Sequence, residues 1–299
     1  MHTRAAILVL WGVIGCTPTG ALPDNNHGSD GGATATCTPA PADSAGRFRF
    51  AVFGDVRPRN PDDTASYPTA IITSLFQEIA AQSPQLVVGT GDYMFASTTN
   101  DASVQTQLGD LLSAEQAFAG PIYHAMGNHE CTGATASNCP NGTETANMRA
   151  FMSKLIPAGT QTPYYRVDVD TGAGMAKLVF IAANAWSQAQ ADWLETQLAD
   201  PTAYTFVVRH EAATITETNG AVASEAIVQK HPLTLELLGH THRYSRIDDK
   251  HIISGNAGAP LSGGHYGFVL VDLLTNGDLS VSEIDQATGA VDDTFTICP

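Results

Sequence analysis

The chain has 299 residues, 43% of them hydrophobic, and a formal net charge of −16. That apolar content supports a sizeable core, and the acidic balance argues against a nucleic-acid phosphate backbone as the main partner. One large domain over residues 47–299 is expected, because no internal boundary and no repeat at solenoid or propeller periods appears.

The chain opens with a targeting pattern over residues 1–15. Arg4 gives a short basic start, and Ala5 to Gly15 is apolar, uncharged and too short for a permanent membrane span. The run ends in Val13-Ile14-Gly15-Cys16, which resembles a bacterial lipobox. That resemblance implies cleavage before Cys16, diacylglycerol on its sulfur, and anchoring of an exported protein to the cell envelope. An ordinary secretory signal cut further on is the alternative. Residues 16–46 are rich in Gly, Ala, Pro, Thr and Asp with almost no large apolar side chain, so they read as a disordered tether.

From residue 47 onward, short β-rich runs finish on polar residues suited to holding metals. Arg47 to Gly54 leads to Asp55. The stripe Ile71, Ile72, Leu75, Phe76 and Ile79 then predicts a helix over 68–82. Gln85 to Gly91 leads to Asp92, and Pro121 to Gly127 leads to Asn128 and His129. Residues 145–155 form a second helical pattern. Ser187 is a predicted N-cap for a third, carrying Trp193, Leu194 and Leu198. Tyr204 to Arg209 leads to His210, and Leu233 to Gly239 leads to His240 and His242. Strands alternating with helices predict an α/β layered fold. Such sheets place ligands beyond the carboxyl ends of their strands, which would gather these polar endings at one edge.

Cys37, Cys131, Cys139 and Cys298 follow Cys16, and an even number in an exported chain suggests disulfides. Four cysteines allow three pairings. The expected one joins Cys131 to Cys139 across a short loop and Cys37 to Cys298 at the two ends of the domain. A soft Cys/His zinc site is disfavoured, since no CxxC pair exists.

Gly54-Asp55, Gly91-Asp92, Gly127-Asn128-His129-Glu130, Val207-Val208-Arg209-His210 and Gly239-His240-Thr241-His242 together resemble the ordered motifs of the calcineurin-like metallophosphoesterases. The run from His240 to Arg246 and the Val-x-x-His form at His210 are similar to the purple acid phosphatase branch. The resemblance spans roughly residues 47–285. It implies a four-layer α/β (α+β layered) fold, a β-sandwich flanked by helices, with a two-metal site at the strand ends. Carried over by position, Asp92 would bridge two ions, Asn128, His210 and His240 would complete one site, and Asp55 and His242 would hold the other. His129 would be the general acid or transition-state donor, and Glu130 would orient its loop. One or two ions of Mn, Zn or Fe suit these oxygen and imidazole donors. Paired ions clamp phosphate and activate a water for attack on phosphorus.

The sequence departs from the family in one corner. Asp-x-His is usual at the first motif, and here it reads Asp55-Val56-Arg57. Arginine stays protonated and has no lone pair to offer a metal. Phe95 stands where the purple acid phosphatases place a tyrosine ligand, and Tyr93 is expected to point elsewhere. Three readings stay open. Two ions bind, with water or another side chain completing the weak site. Alternatively one ion binds and Arg57 supplies positive charge to phosphate. In the third, the site is degenerate and the chain is a lipoprotein that binds a phosphorylated ligand without turnover. A salt bridge of Arg57 to Asp55 or a nearby acid is the bland alternative. A phosphomonoesterase or phosphodiesterase acting on a small phosphorylated substrate is the expected function, and a nuclease fits the acidic balance poorly. His124 is expected to be a buried, hydrogen-bonded histidine, and Arg209 and Arg243 to be paired at the surface unless they reach phosphate.

Overall fold

The computed structural model describes residues 48–132, 139, 145–215 and 218–299. The targeting segment, Cys16, the tether and Cys37 lie outside the described residues. Two six-stranded sheets pack face to face. The first runs in the order β12 (Val291–Ile297), β11 (Leu279–Asp285), β10 (Gly267–Leu273), β1 (Phe48–Phe53), β2 (Leu86–Gly89), β3 (Ile122–His124). The second runs β4 (Tyr165–Asp170), β5 (Met175–Phe180), β6 (Tyr204–Val208), β7 (Leu235–Leu238), β9 (His251–Ser254), β8 (Tyr244–Arg246).

Successive residues on a strand point to opposite faces, and here both faces are covered. Phe50 on β1 meets Phe206 on β6 edge-on, with ring centroids 5.0 Å apart, so this face looks into the space between the sheets. Phe53 meets Phe76 of α1 (Thr69–Ala81) at 5.0 Å on the other side. Val207 turns outward to join Leu194, Leu198, Ala221 and Val228. These come from α5 (Gln188–Ala199) and α6 (Asn219–Val228). The layers are therefore helix, sheet, sheet, helix. Double burial explains why β1, β2, β6 and β7 read as near-continuous apolar runs rather than alternating ones.

Helix ends follow their caps. Ser187 accepts from the Gln190 N–H at 3.2 Å, as the sequence predicts for α5. Thr145 does the same for α4 (Ala146–Lys154), accepting from Met148 N at 3.1 Å. Lys177 lies on β5 and is buried, yet its Nζ donates to the carbonyls of Gln197, Leu198 and Asp200. It closes the C-terminus of α5, where unpaired carbonyls favour a cation. Among the described residues no helix is long and apolar enough to cross a membrane.

Topology then makes the site. β1, β2 and β3 are mutually parallel, as are β5, β6, β7 and β9. The carboxyl ends of each set lie at one edge of their sheet, and the residues that follow them are the predicted ligands. Cys131, at the end of α3 (Asn128–Thr132), is disulfide-bonded to Cys139, with Cα atoms 5.2 Å apart. This pairing is the expected one. Cys298 is also disulfide-bonded.

Candidate metal centre

Asp55 follows β1, Asp92 follows β2, Asn128 opens α3 after β3, His210 follows β6, and His240 and His242 follow β7. The structure brings all six together. The ligand atoms of Asp92, His210 and His240 lie within 4.8 Å of one another, and so do those of Asp55, Asp92 and His242.

The first group is tight. Asn128 Oδ1 lies 3.1 Å from both His210 Nε2 and His240 Nδ1, which are 3.2 Å apart. Asp92 Oδ1 is 3.3 Å from His210 Nε2. Such spacings are those of donors arranged tetrahedrally about an ion held at roughly 2.0 Å. The rings are aimed from behind. His210 Nδ1 is 2.9 Å from the Thr90 carbonyl and His242 Nδ1 is 3.0 Å from the Pro260 carbonyl, so each donates there and turns Nε2 inward. Asp55 is fully buried. Its Oδ2 accepts from the His240 N–H at 2.8 Å, while its Oδ1 has no hydrogen-bond partner. An orphaned buried carboxylate oxygen beside two histidines fits a cation.

The backbone is bent to reach this geometry. Among the described residues, six non-glycines have positive φ, and four are candidate ligands: Asp55 (56°), Asp92 (60°), His240 (74°) and His242 (53°). Left-handed backbone costs a residue with a Cβ about 1–2 kcal/mol, and less for Asp and His, which are enriched there. Gly127 has its own reason. A Cβ there would lie 2.4 Å from Asp92 Oδ1 and 2.5 Å from the Asp92 nitrogen.

Glu130 holds this bend. Its Oε2 accepts from the nitrogens of Asp92 (2.9 Å) and Gly127 (2.8 Å), and its Oε1 from those of Tyr93 (2.7 Å) and Met94 (3.3 Å). Four donors and no acceptor suit a carboxylate, although burial and then the charge of Asp92 push it up to about 7. The expected loop-orienting role is thus a bridge between the second and third motifs.

His129 is buried against Phe95, with ring centroids 4.5 Å apart, and its Nε2 lies 3.7 Å from Asp92 Oδ2. Arg57 Nε approaches Asp92 Oδ2 at 3.6 Å and its Nη2 approaches His242 Nε2 at 3.2 Å. Arg57 thus makes the expected ion pair with a nearby acid, Asp92 rather than Asp55, and also meets His242.

The charges are strongly coupled. Burial pulls His210 down, but Asp92 outweighs it and raises the ring to about 10. Burial lifts Asp55 to about 8, and Asp92 adds to this. Asp92 would also rise through burial, but His210, His129 and Arg57 hold it well below the usual carboxylate range. Burial and then the charge of His210 lower His240 to about 4, leaving it neutral and ready to ligate.

His210 thus carries a proton at pH 7 before an ion binds and must release it to coordinate, and the positive charge of a nearby ion also favours loss of the proton from buried Asp55. Binding of a divalent cation is expected to release protons, and its affinity to rise with pH up to the range in which these groups lose them unaided. Calorimetry at pH 7 in buffers of different ionisation enthalpy checks this. A binding heat independent of the buffer would contradict it.

Other residues fall as the sequence suggested or with a change. His124 is buried, with Nε2 2.8 Å from Glu115 Oε1. Tyr93 points away from the centre, its hydroxyl accepting from the Gly91 nitrogen at 3.0 Å. Arg209 is not a surface pair. It is buried, pairing with Glu225 at 2.6 Å and Glu236 at 2.8 Å and donating to the Ala221 carbonyl. Glu211 was not singled out, and its only sequence signal is an acid directly after His210. It accepts from Asn184 Nδ2 at 2.7 Å, and burial would raise it, but the charge of His210 overrides this and lowers it.

A family model described as calcineurin-like phosphoesterase matches residues 48–244. No curated protein matches the chain. Among solved structures, the fold is similar to a purple acid phosphatase from yellow lupin seeds (TM-score 0.62, 17% identity, 86% of this chain and 55% of that one). The chain thus spans about half the length of that phosphatase. It is also similar to a dimetal phosphatase from Danio rerio (TM-score 0.58, 14% identity, 84% and 99% covered).

Proposed function

The chain belongs to the calcineurin-like phosphoesterases, and from that premise we propose that it hydrolyses small phosphate esters at the centre built by Asp92, Asn128, His210 and His240. The observation that carries this reading is the convergence of four donor atoms from four strand ends at 3.1–3.3 Å. A cation of the Mn, Zn or Fe kind held there supplies Lewis-acid polarisation of a phosphoryl oxygen and acidifies water.

The chain's own groups supply the rest. Asp92 presents Oδ1 to the His210/His240 side and Oδ2 to the Arg57 side. His129 is placed to give a proton from Nε2 to the leaving oxygen, and its packing on Phe95 fixes the ring for that transfer. A cavity of about 400 Å³ opens beside Arg57 and is lined further by Arg59, Pro68, Pro260 and Tyr266. That size suits the leaving group of a small molecule.

We also place the protein at the cell envelope, anchored through Cys16. The lipobox-like run Val13 to Cys16 supports this. The disulfide at Cys131–Cys139 agrees with an oxidising compartment.

Turnover of para-nitrophenyl phosphate and of its bis ester by protein reconstituted with Mn, Zn or Fe tests the function and separates monoesterase from diesterase. Metal bound at the centre with no turnover of either ester would instead favour a phospho-ligand-binding lipoprotein.

A further inference from the structure

Arg57 and Phe95, the two positions singled out above where the motifs depart from the family pattern they resemble, meet in space. The Arg57 guanidinium carbon lies 4.6 Å over the centroid of the Phe95 ring. Its Nη1 donates to the Pro58 carbonyl at 3.2 Å. Its Nη2 lies 3.2 Å from His242 Nε2 and its Nε lies 3.6 Å from Asp92 Oδ2. The backbone leading to it is pinned, since Asp55 N donates to the Gly91 carbonyl and Val56 N to the Asp92 carbonyl, each at 3.0 Å.

A permanent cation therefore stands against two of the three side chains that a second ion would need. Phe95 supports that cation through its ring face and offers no oxygen ligand. A dication entering there would sit in contact with a fixed positive charge. By contrast, among the described residues no ion pair or hydrogen bond links an arginine or lysine to His210 or His240. Arg57 Nε is buried 3.6 Å from Asp92 Oδ2 and makes no hydrogen bond, and the residue lines the cavity of about 400 Å³.

We infer that this centre holds one ion, on Asp92, Asn128, His210 and His240, and that the Arg57 guanidinium stands in the place of the second and grips the phosphoryl oxygens. The chemistry this implies is specific. A guanidinium brings one positive charge and a planar pair of donors matched to two phosphoryl oxygens, but it cannot acidify a water. Charge stabilisation is divided between the metal and the arginine, and water activation is left to the single ion. The catalytic part of this inference rests on the hydrolytic reading above. The metal count does not.

The test uses the full-length protein loaded with Mn²⁺, freed of excess ion, and read by elemental analysis and electron paramagnetic resonance. The wild type is expected to hold one manganese per chain, with the hyperfine sextet of an isolated ion. Arg57→His is expected to hold two, with an exchange-coupled spectrum. Arg57→Gln keeps the bulk and removes the charge. Loaded to one manganese per chain, it is expected to lose roughly 100-fold in kcat/KM for para-nitrophenyl phosphate. Two coupled ions in the wild type would overturn the inference whatever the variants do. Undiminished kcat/KM in Arg57→Gln would overturn the role of the guanidinium. One bound ion without turnover would remove the hydrolytic reading and leave the single-ion centre standing.

Discussion

Asp92→Asn is expected to give a folded protein that holds no tightly bound ion and turns over phosphate esters at least about 1,000-fold more slowly, the scale of losing several kcal/mol of metal-derived stabilisation. One carboxylate here faces several groups. Oδ1 accepts from the His129 nitrogen at 3.1 Å and lies 3.3 Å from His210 Nε2. Oδ2 lies 3.6 Å from Arg57 Nε and 3.7 Å from His129 Nε2. An amide offers one oxygen, so its NH₂ must confront donors on one side or the other. The negative charge that raises His210 also goes, and burial then pulls that ring down. The backbone bond of residue 92 to Glu130, and those of its neighbours, are untouched, which is why folding survives. Elemental analysis and steady-state kinetics check this. Metal content and kcat within tenfold of the wild type would refute the assignment of Asp92 to the centre.

Glu130→Ala strikes the scaffold instead. It strands the buried nitrogens of Asp92, Tyr93, Met94 and Gly127. Each unsatisfied donor costs about 1–3 kcal/mol, so the loss of folding stability is expected to reach about 4 kcal/mol or more. That is a large share of the roughly 5–15 kcal/mol typical of a native domain. Glu130→Gln should fall between the two, because its oxygen can serve one pair of nitrogens while its NH₂ opposes the other pair. Denaturant unfolding, with metal removed so that binding does not mask the change, measures both variants. A Glu130→Ala chain within about 1 kcal/mol of the wild type would show that these bonds do not organise the site.

Much of the centre was legible because each ligand sits one to a few residues beyond an apolar strand. A strand buried on both faces leaves a continuous run of Val, Phe and Leu, and the polar residue that ends it is conspicuous. Helix α2 (Asp101–Glu115) was harder to see. Val104, Leu108 and Leu111 are its buried stripe, but Asp, Gln and Thr crowd the spaces between them, so the period is weak. The antiparallel edge β10, β11 and β12 escaped because it carries no ligand and β11 places Glu283 on its buried face, where an apolar residue is expected. What orients the histidines could not be read at all. The Thr90 and Pro260 carbonyls are main-chain groups, and every residue has one. Arg209 misled by position, since a neighbour of a ligand on a strand points to the opposite side, here into Glu225 and Glu236.

The left-handed backbone at Asp55, Asp92, His240 and His242 has an evolutionary consequence. Glycine adopts that conformation at no steric cost, so the backbone angle by itself favours glycine at all four places, against the hydrogen bonds that Asp55 and Asp92 accept from His240 and His129. A lineage released from its chemistry would gain stability by drifting to glycine there, as proteins readily do when function no longer opposes it. This chain keeps two aspartates and two histidines at those angles. An ion or a phosphorylated ligand held there would offset that conformational cost, so loss of the ligand and drift to glycine are linked.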